Sequence, residues 1–295
     1  MIEPFTAPFM GRALAELVLL AVICGPVSVF VFVRRLSFVS DALTHTVFPG
    51  VVIGFLAGGI EGIVAGALIA GVVTAVVLTL LSRGGALSDD ASTAVVLTAM
   101  FSIGVVLVSR RSSYTSDLTS FLFGRILTVT PRQIVETVVL AVVILGLLLT
   151  CARALVFRTF DPAGAAAAGF RIGGLDLLLN VIVALVVVAA VRAVGTILVV
   201  ALLIVPAAAA RMLTTRLSLM ALVGTGLIIL AAYGGLLASW TASVDHGIAL
   251  TSASAVVLLL VLTYLLLLPL GVLRSRRNHG RTAPTAGRSP HELVG

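Results

Sequence analysis

Nine long apolar runs dominate this sequence and limit what it can fold into. A membrane-spanning helix needs about 20 consecutive, mostly apolar residues. Runs of this kind cover residues 12–33, 37–57, 60–82, 91–109, 133–152, 175–191, 194–210, 217–238 and 248–270. Hydrophobic residues make up 60% of the 295-residue chain and charged residues 11%, whereas soluble domains carry about 45–50% and about 25%. The runs exclude a water-soluble enzyme and predict an all-α polytopic membrane protein with eight or nine transmembrane helices within residues 1–273.

All 19 basic residues of the chain are arginines, and no lysine occurs. An ATPase of the P-loop class needs a lysine that reaches the nucleotide phosphates. The chain therefore does not hydrolyse ATP through a P-loop of its own. The arginines separate the apolar runs and do not form one dense patch, which is typical of topology signals in membrane proteins and predicts no nucleic-acid partner.

The placement of the arginines predicts an orientation in the membrane. With the N-terminus outside, 13 of the 19 arginines fall on the inner side, in the direction of the positive-inside rule. The C-terminus is then cytoplasmic. Residues 274–295 are rich in Arg, Ser, Pro and Gly without an apolar period, which predicts a disordered basic cytoplasmic tail. Residues 112–132 are too polar for a simple span and could form a surface helix or a re-entrant segment.

An aspartate and a histidine lie inside the second apolar run, where ionisable groups are costly and suggest function. Asp41 and His45 are four residues apart, so a helix places them on one face. At about 1.5 Å per residue, His45 lies roughly 16 Å from Arg34, near the middle of a hydrocarbon core about 30 Å thick. The pair could bind Zn²⁺, Mn²⁺ or Fe²⁺, relay a proton, or form a structural hydrogen bond, and its spacing leaves these three roles open. Two ligands do not fill a coordination shell, whereas a homodimer would supply four.

The same run carries a second pattern on its other face. Gly50, Gly54 and Gly58 form a stripe of small residues that permits close packing of membrane helices. At about 100° per residue, Gly50 lies roughly opposite Asp41 around the helix. Pro49 has no N–H to donate to the carbonyl of His45. One face is thus polar and the other suited to a helix contact, as a pore-lining helix requires.

A short capped helix is predicted in the longest inner loop, after Phe160. Asp161 suits the N-cap, Pro162 the first helical position and Gly169 the C-terminal stop. A membrane protein that does not bind ATP could offer such a helix to a cytoplasmic ATPase. A plain connecting helix would have the same sequence signals, so both roles stay open at this point.

Taken in order, these segments resemble the membrane permease subunits of zinc, manganese and iron ABC importers. The pattern from Arg34-Arg35 through Asp41 and His45 to Pro49-Gly50 is similar to the family's motif after its first span. Three further family motifs are matched in order by residues 117–127, 160–169 and 194–210. The run from His45 to Pro49-Gly50 is more similar to the manganese/iron branch than to the zinc branch.

The resemblance implies a type II ABC importer-like fold and a homodimer with a central pathway. It implies that Asp41 and His45 contact the transported divalent metal, which is the substrate, with no permanently bound cofactor. It further implies that two cytoplasmic ATPase subunits dock on Phe160, Asp161, Pro162 and Gly169. An extracytoplasmic metal-binding protein would deliver the ion to the bacterial cytoplasmic membrane.

The sequence departs from the family pattern in two places. Ala163 replaces the acidic residue that usually follows Asp-Pro, and Ala209 replaces a common threonine. The first departure affects the ATPase contact and the second a polar contact in the pathway. Two other functions remain open: a permease for a metal chelate or siderophore, and a proton-coupled secondary transporter that uses Asp41 and His45 as its relay.

Overall fold

The computed structural model describes residues 5, 7–83, 88–109, 124–245, 247 and 250–279. This part of the chain is a bundle of α-helices without a β-strand. The helices are α1 (Pro8–Val33), α2 (Ser37–Thr46), α3 (Phe48–Arg83), α4 (Asp89–Ser109), α5 (Pro131–Phe160), α6 (Pro162–Ala167), α7 (Ile172–Leu213), α8 (Leu217–Asp245) and α9 (Ser252–His279). A short 3₁₀ helix, Ile126–Thr128, precedes α5. The prediction of an all-α polytopic membrane protein is confirmed.

We call the end of the bundle at which α1 terminates the lower end, and the end at which it begins the upper end. At the lower end, Asp176 near the start of α7 binds Arg34, which follows α1, and Arg158, which lies near the end of α5. At the upper end, Arg192 of α7 binds Glu136, which lies close to the start of α5. These contacts fix the direction of α1, α5 and the first half of α7.

Helix α3 is a hairpin of two helical halves that reverse at Gly58 and Gly59. Gly59 has a φ of 61°, a left-handed conformation that glycine adopts without strain. The two halves touch backbone to backbone, because a Cβ atom on Gly54 would overlap the carbonyl of Gly62 and one on Gly50 would overlap the carbonyl of Gly66. The predicted stripe of small residues therefore does pack against a helix, and that helix is the next segment of the same chain.

Helix α7 also doubles back, at Gly195, where φ is 77° and ψ is 165°. Its first half rises from the lower end to Arg192 at the upper end. Its second half returns, because Ala207 and Ala210 form a buried cluster with Val29, close to the lower end of α1. A straight helix of 42 residues would be about 63 Å long, twice the thickness of a hydrocarbon core. The reversal lets one apolar stretch cross the bundle twice.

The described chain contains eight helical segments that are long and apolar enough to span a membrane. Counted with both halves of α7, they cross the bundle nine times, as the nine apolar runs predict. Both halves of α7 are largely buried by the surrounding helices, and α1 packs along them. Helix α7 is therefore the centre of the bundle.

Helix α9 continues to His279, six residues beyond the predicted end of the membrane domain at residue 273. Residues 274–279 of the predicted tail are therefore helical. Residues 280–295 lie outside the described residues, as does most of segment 112–132, so the disorder of the tail and the re-entry of that segment stay predictions.

Candidate functional site

Asp41 and His45 stand side by side on α2, one helical turn apart. The His45 Nε2 and Asp41 Oδ1 atoms are 4.0 Å apart, and the two side chains are 31% and 43% exposed. This separation is too long for a hydrogen bond. The two side chains thus make no hydrogen bond to each other, and both can bind a third atom on the exposed face of the helix.

The opposite face of α2 fixes the pair in place. Ala42, Leu43 and Thr44 are fully buried, and the Thr44 hydroxyl donates a hydrogen bond of 2.7 Å to the carbonyl of Asp41. The His45 ring meets the ring of Phe101 from α4 nearly edge-on, with centroids 6.1 Å apart. Asp41 and His45 are thus partly exposed on a backbone that is held in place by burial of the residues between them.

The helix is interrupted just beyond His45. Helix α2 ends at Thr46 and α3 begins at Phe48, where Pro49 has no N–H to continue the helical ladder. Pro49 and Ile53 follow His45 at intervals of four residues and line an open groove of about 580 Å³. The groove is walled by glycines, alanines and aliphatic side chains of α3 and α4. His45 therefore lies one helical turn before the first residue that lines this apolar groove.

Among the residues that the structure describes, no group of three or more His, Cys, Asp or Glu side chains could hold a metal ion. Asp41 and His45 supply two donor atoms of mixed O and N type. Such donors suit several divalent transition metals without strong discrimination. One copy of the chain thus offers half of a coordination shell.

The capped segment after α5 folds as its sequence predicts. The Asp161 Oδ1 atom accepts a hydrogen bond of 2.8 Å from the N–H of Gly164, and Pro162 is the first residue of α6. The helix ends at Ala167, and Gly169, two residues later, has a φ of 86°. Phe160 is 63% exposed. The segment presents a rigid, solvent-facing turn of helix at the lower end of the bundle.

A charged cluster connects this segment to α2. Asp176 of α7 accepts from Arg34 through Oδ1 and from Arg158 through Oδ2, the second bond being 3.1 Å long. Arg34 leads into α2, and Arg158 lies just before Phe160. We call Arg34, Asp176 and Arg158 the lower clasp. Arg34 belongs to a motif identified in the sequence, but Asp176 was missed because its partner Arg34 is 142 residues away in the chain.

A second polar network occupies the upper end. Arg132 binds Glu61 at 2.6 Å and Glu136 at 3.2 Å, and Arg192 binds Glu136 at 2.8 Å. Glu16 of α1 is fully buried beside them and accepts a hydrogen bond of 2.7 Å from the Thr137 hydroxyl. The one signal for Glu16 in the sequence is its position as the single acidic residue in the first apolar run.

Of the predicted motif at residues 117–127, residues 117–123 lie outside the described residues. Gly124 has a φ of 69° and its Cα sits against the backbone of Val194 and Gly195. The N–H of Arg125 donates a hydrogen bond of 3.0 Å to the carbonyl of Ala193. This segment therefore covers the turn at which α7 reverses.

Comparisons with known proteins all indicate the same family. Residues 6–268 match the model of a family described as ABC 3 transport family. The manganese transport system membrane protein MntC of Halalkalibacterium halodurans is 32% identical over 228 residues, which are 77% of each chain. The chelated iron transport system membrane protein YfeD of Yersinia pestis is 31% identical over 238 residues, covering 81% of this chain and 79% of that one.

A solved structure has the same architecture. The structure of PsaBC from Streptococcus pneumoniae in complex with Fab superimposes with a TM-score of 0.78 at 27% identity, covering 90% of this chain and 93% of that one.

Proposed function

The chain belongs to the ABC 3 transport family, and on that premise we propose that it is the permease subunit of an ATP-driven importer for a divalent transition metal. It is a multi-pass membrane subunit and not an enzyme. ATP is hydrolysed by partner subunits, in keeping with the absence of lysine from the chain. The ion is the cargo and no cofactor is held permanently.

The observation that carries this proposal is the open Asp41–His45 pair. Two copies of the chain that face each other would supply two carboxylates and two imidazoles, a set that suits Mn²⁺, Fe²⁺ or Zn²⁺. A site built from two partly exposed halves binds weakly enough to release its ion, as transport requires. Manganese or iron is favoured over zinc, because the relatives reported above are named for manganese and for chelated iron.

The lower end of the bundle faces the cytoplasm in this proposal. The ATPase subunit then docks on α6 and the residues on either side of it. The docking residues are Phe160, Asp161, Pro162 and Gly169. The exposed ring of Phe160 supplies an apolar contact for that subunit. The lower clasp connects the docking helix to α2 through one carboxylate, so that movement at α6 reaches the segment of Asp41 and His45.

The proposed orientation of the chain in the membrane is based on the distribution of its arginines between the two sides. The N-terminus lies outside the bacterial cytoplasmic membrane and the C-terminus inside, which places 13 of the 19 arginines on the cytoplasmic side. The upper end then receives the ion from an extracytoplasmic metal-binding protein. Alternating access comes from movement of the two permease copies against each other.

The other two functions are less favoured. A chelate or siderophore pathway does not need an Asp–His pair on the wall of its route. A proton-coupled secondary transporter would work without an ATPase, whereas family membership ties this chain to ATP-driven transport.

Uptake of radiolabelled Mn²⁺ by cells that express the complete transporter tests the proposal. We expect Asp41→Asn and His45→Gln each to lower uptake by roughly tenfold or more, because each removes one metal donor from the site. Asp245→Asn, at the exposed end of α8, serves as the matched control and should transport normally. Unchanged uptake in both site variants at equal membrane abundance would remove Asp41 and His45 from the pathway.

A further inference from the structure

Glu16 is a buried carboxyl group that the transport route does not use. Its side chain is 0% exposed within the helix bundle. One oxygen, Oε1, accepts a hydrogen bond of 2.7 Å from the Thr137 hydroxyl. The other oxygen, Oε2, is buried and has no hydrogen-bond partner among the described residues. An ionised carboxylate with a bare oxygen is a costly group inside a protein.

The nearest guanidinium groups make their ion pairs with other carboxylates. Arg192 binds Glu136, and Arg132 is divided between Glu136 and Glu61. Within the described residues, Glu16 therefore has no ion pair of its own, although Arg192 borders the same cavity.

The other described elements near Glu16 supply no ion pair either. Arg12, one turn before Glu16 on α1, donates its Nε hydrogen to the carbonyl of Pro8. Arg125, before the 3₁₀ helix, is exposed. Helix α8, which packs along α1, carries Asp245 at its exposed end as its single charged side chain. Among the described residues, the second oxygen of Glu16 is thus left without a partner.

A small cavity lies where that ligand is needed. It has a volume of about 20 Å³ and is bordered by Glu16, Gln133, Glu136, Thr137 and Arg192, together with apolar residues. One water molecule needs about 10–15 Å³ measured in this way and two to four polar partners. The cavity has the size and the polarity for a single water.

We propose that Glu16 is a proton-binding site: its Oε2 atom carries a proton and donates it in a hydrogen bond to one water held in this cavity. The water in turn can donate to the carboxylate of Glu136. Oε1 of the neutral acid keeps its bond from Thr137. The proton removes the negative charge from the one carboxyl group of this described network that has no ion pair. A metal cation is disfavoured, because the Arg192 guanidinium borders the same cavity and repels it.

A consequence is that the contact between α1, α5 and α7 at the upper end is sensitive to pH. Raising the pH removes the proton and leaves an ionised Glu16 without a counter-charge between these helices. The folded protein is then expected to lose stability as the pH rises, and to regain it when the proton returns.

Infrared spectroscopy of the purified protein in dodecyl maltoside, a detergent without ester carbonyl groups, tests the proposal directly. A carboxylic acid has a C=O stretching band that an ionised carboxylate lacks, and the band shifts in D₂O. We expect this band at neutral pH in the wild type and its loss in Glu16→Gln. Glu61→Gln, which changes an exposed member of the same network, should keep it. Absence of the band from the wild type at neutral pH, or its persistence in Glu16→Gln, overturns the proposal even if a variant folds poorly.

Thermal unfolding distinguishes a proton from a metal cation. We expect the melting temperature of the wild type to fall as the pH is raised, and that of Glu16→Gln to change much less, because glutamine has no proton to lose. Replacing choline by sodium should leave the wild type unchanged. A sodium-dependent rise that disappears in Glu16→Gln would assign the site to a metal ion and refute the proton.

Discussion

At the scale of single residues, Asp176 is the side chain at the lower end whose replacement should lower the stability of the fold most. Asp176→Asn leaves Arg34 and Arg158 partly buried without their shared carboxylate. Hydrogen bonds to charged groups contribute about 1.5–3 kcal/mol, so we expect a clear fall in melting temperature of the detergent-solubilised protein. Asp245→Asn is the control at an exposed site. Equal melting temperatures for the two variants would show that the clasp does not stabilise the bundle.

The residue scale also shows what a sequence can and cannot predict. Asp41 and His45 were identified because their relation is local: four residues apart in a helix they share a face, and in the structure they stand 4.0 Å apart. Asp176 and Glu16 depend on partners 142 and 121 residues away. Such pairings are made by packing of whole helices, and no local pattern reveals them.

At the scale of elements, the α3 hairpin depends on glycine at its crossing point. A Cβ atom on Gly54 would overlap the backbone of Gly62, so we expect Gly54→Ala to force the two halves apart. Overpacking of this kind costs about 1–3 kcal/mol. Gly58→Ala is a matched control on the same stripe, because nothing lies within 4 Å of a Cβ atom there. A melting temperature as low for Gly58→Ala as for Gly54→Ala would contradict this account.

The short helix α6 depends on its cap. A helix of six residues is not stable alone in water, and the Asp161 side chain satisfies the N–H of Gly164. Asp161→Ala should cost about 1 kcal/mol and speed amide exchange across residues 164–168. Asp161→Ser keeps an acceptor at the cap and should restore slow exchange. Hydrogen–deuterium exchange of the purified protein measures both variants, and equal protection in Asp161→Ala and the wild type would show that the cap is dispensable.

At the scale of the whole molecule, the apolar runs predicted the crossings well because hydrophobic length is a local property of the chain. The position at which α7 reverses was predicted only approximately. The sequence placed a boundary between residues 191 and 194, and the structure turns at Gly195, where no polar loop marks the change. The turn is held instead by the backbone of Gly124 and Arg125, which reach it from a distant part of the chain.

The reversal of α7 and the orientation of the molecule can be tested together by labelling single cysteines. In a background in which Cys24 and Cys151 are replaced by alanine, we expect an impermeant maleimide to label Thr128→Cys in intact spheroplasts. Ala168→Cys and Thr215→Cys should react only after permeabilisation, because α6 and the α7–α8 connection both lie at the lower end, which the proposed orientation places in the cytoplasm. All three positions are exposed. A single pass of α7 would place Thr215 outside while leaving Ala168 inside, so labelling of Thr215→Cys as well as Thr128→Cys in intact spheroplasts, without labelling of Ala168→Cys, would refute the reversal. If Thr128→Cys reacted only after permeabilisation, and Ala168→Cys and Thr215→Cys reacted in intact spheroplasts, the orientation would be the reverse of the proposed one. The nine crossings would still hold.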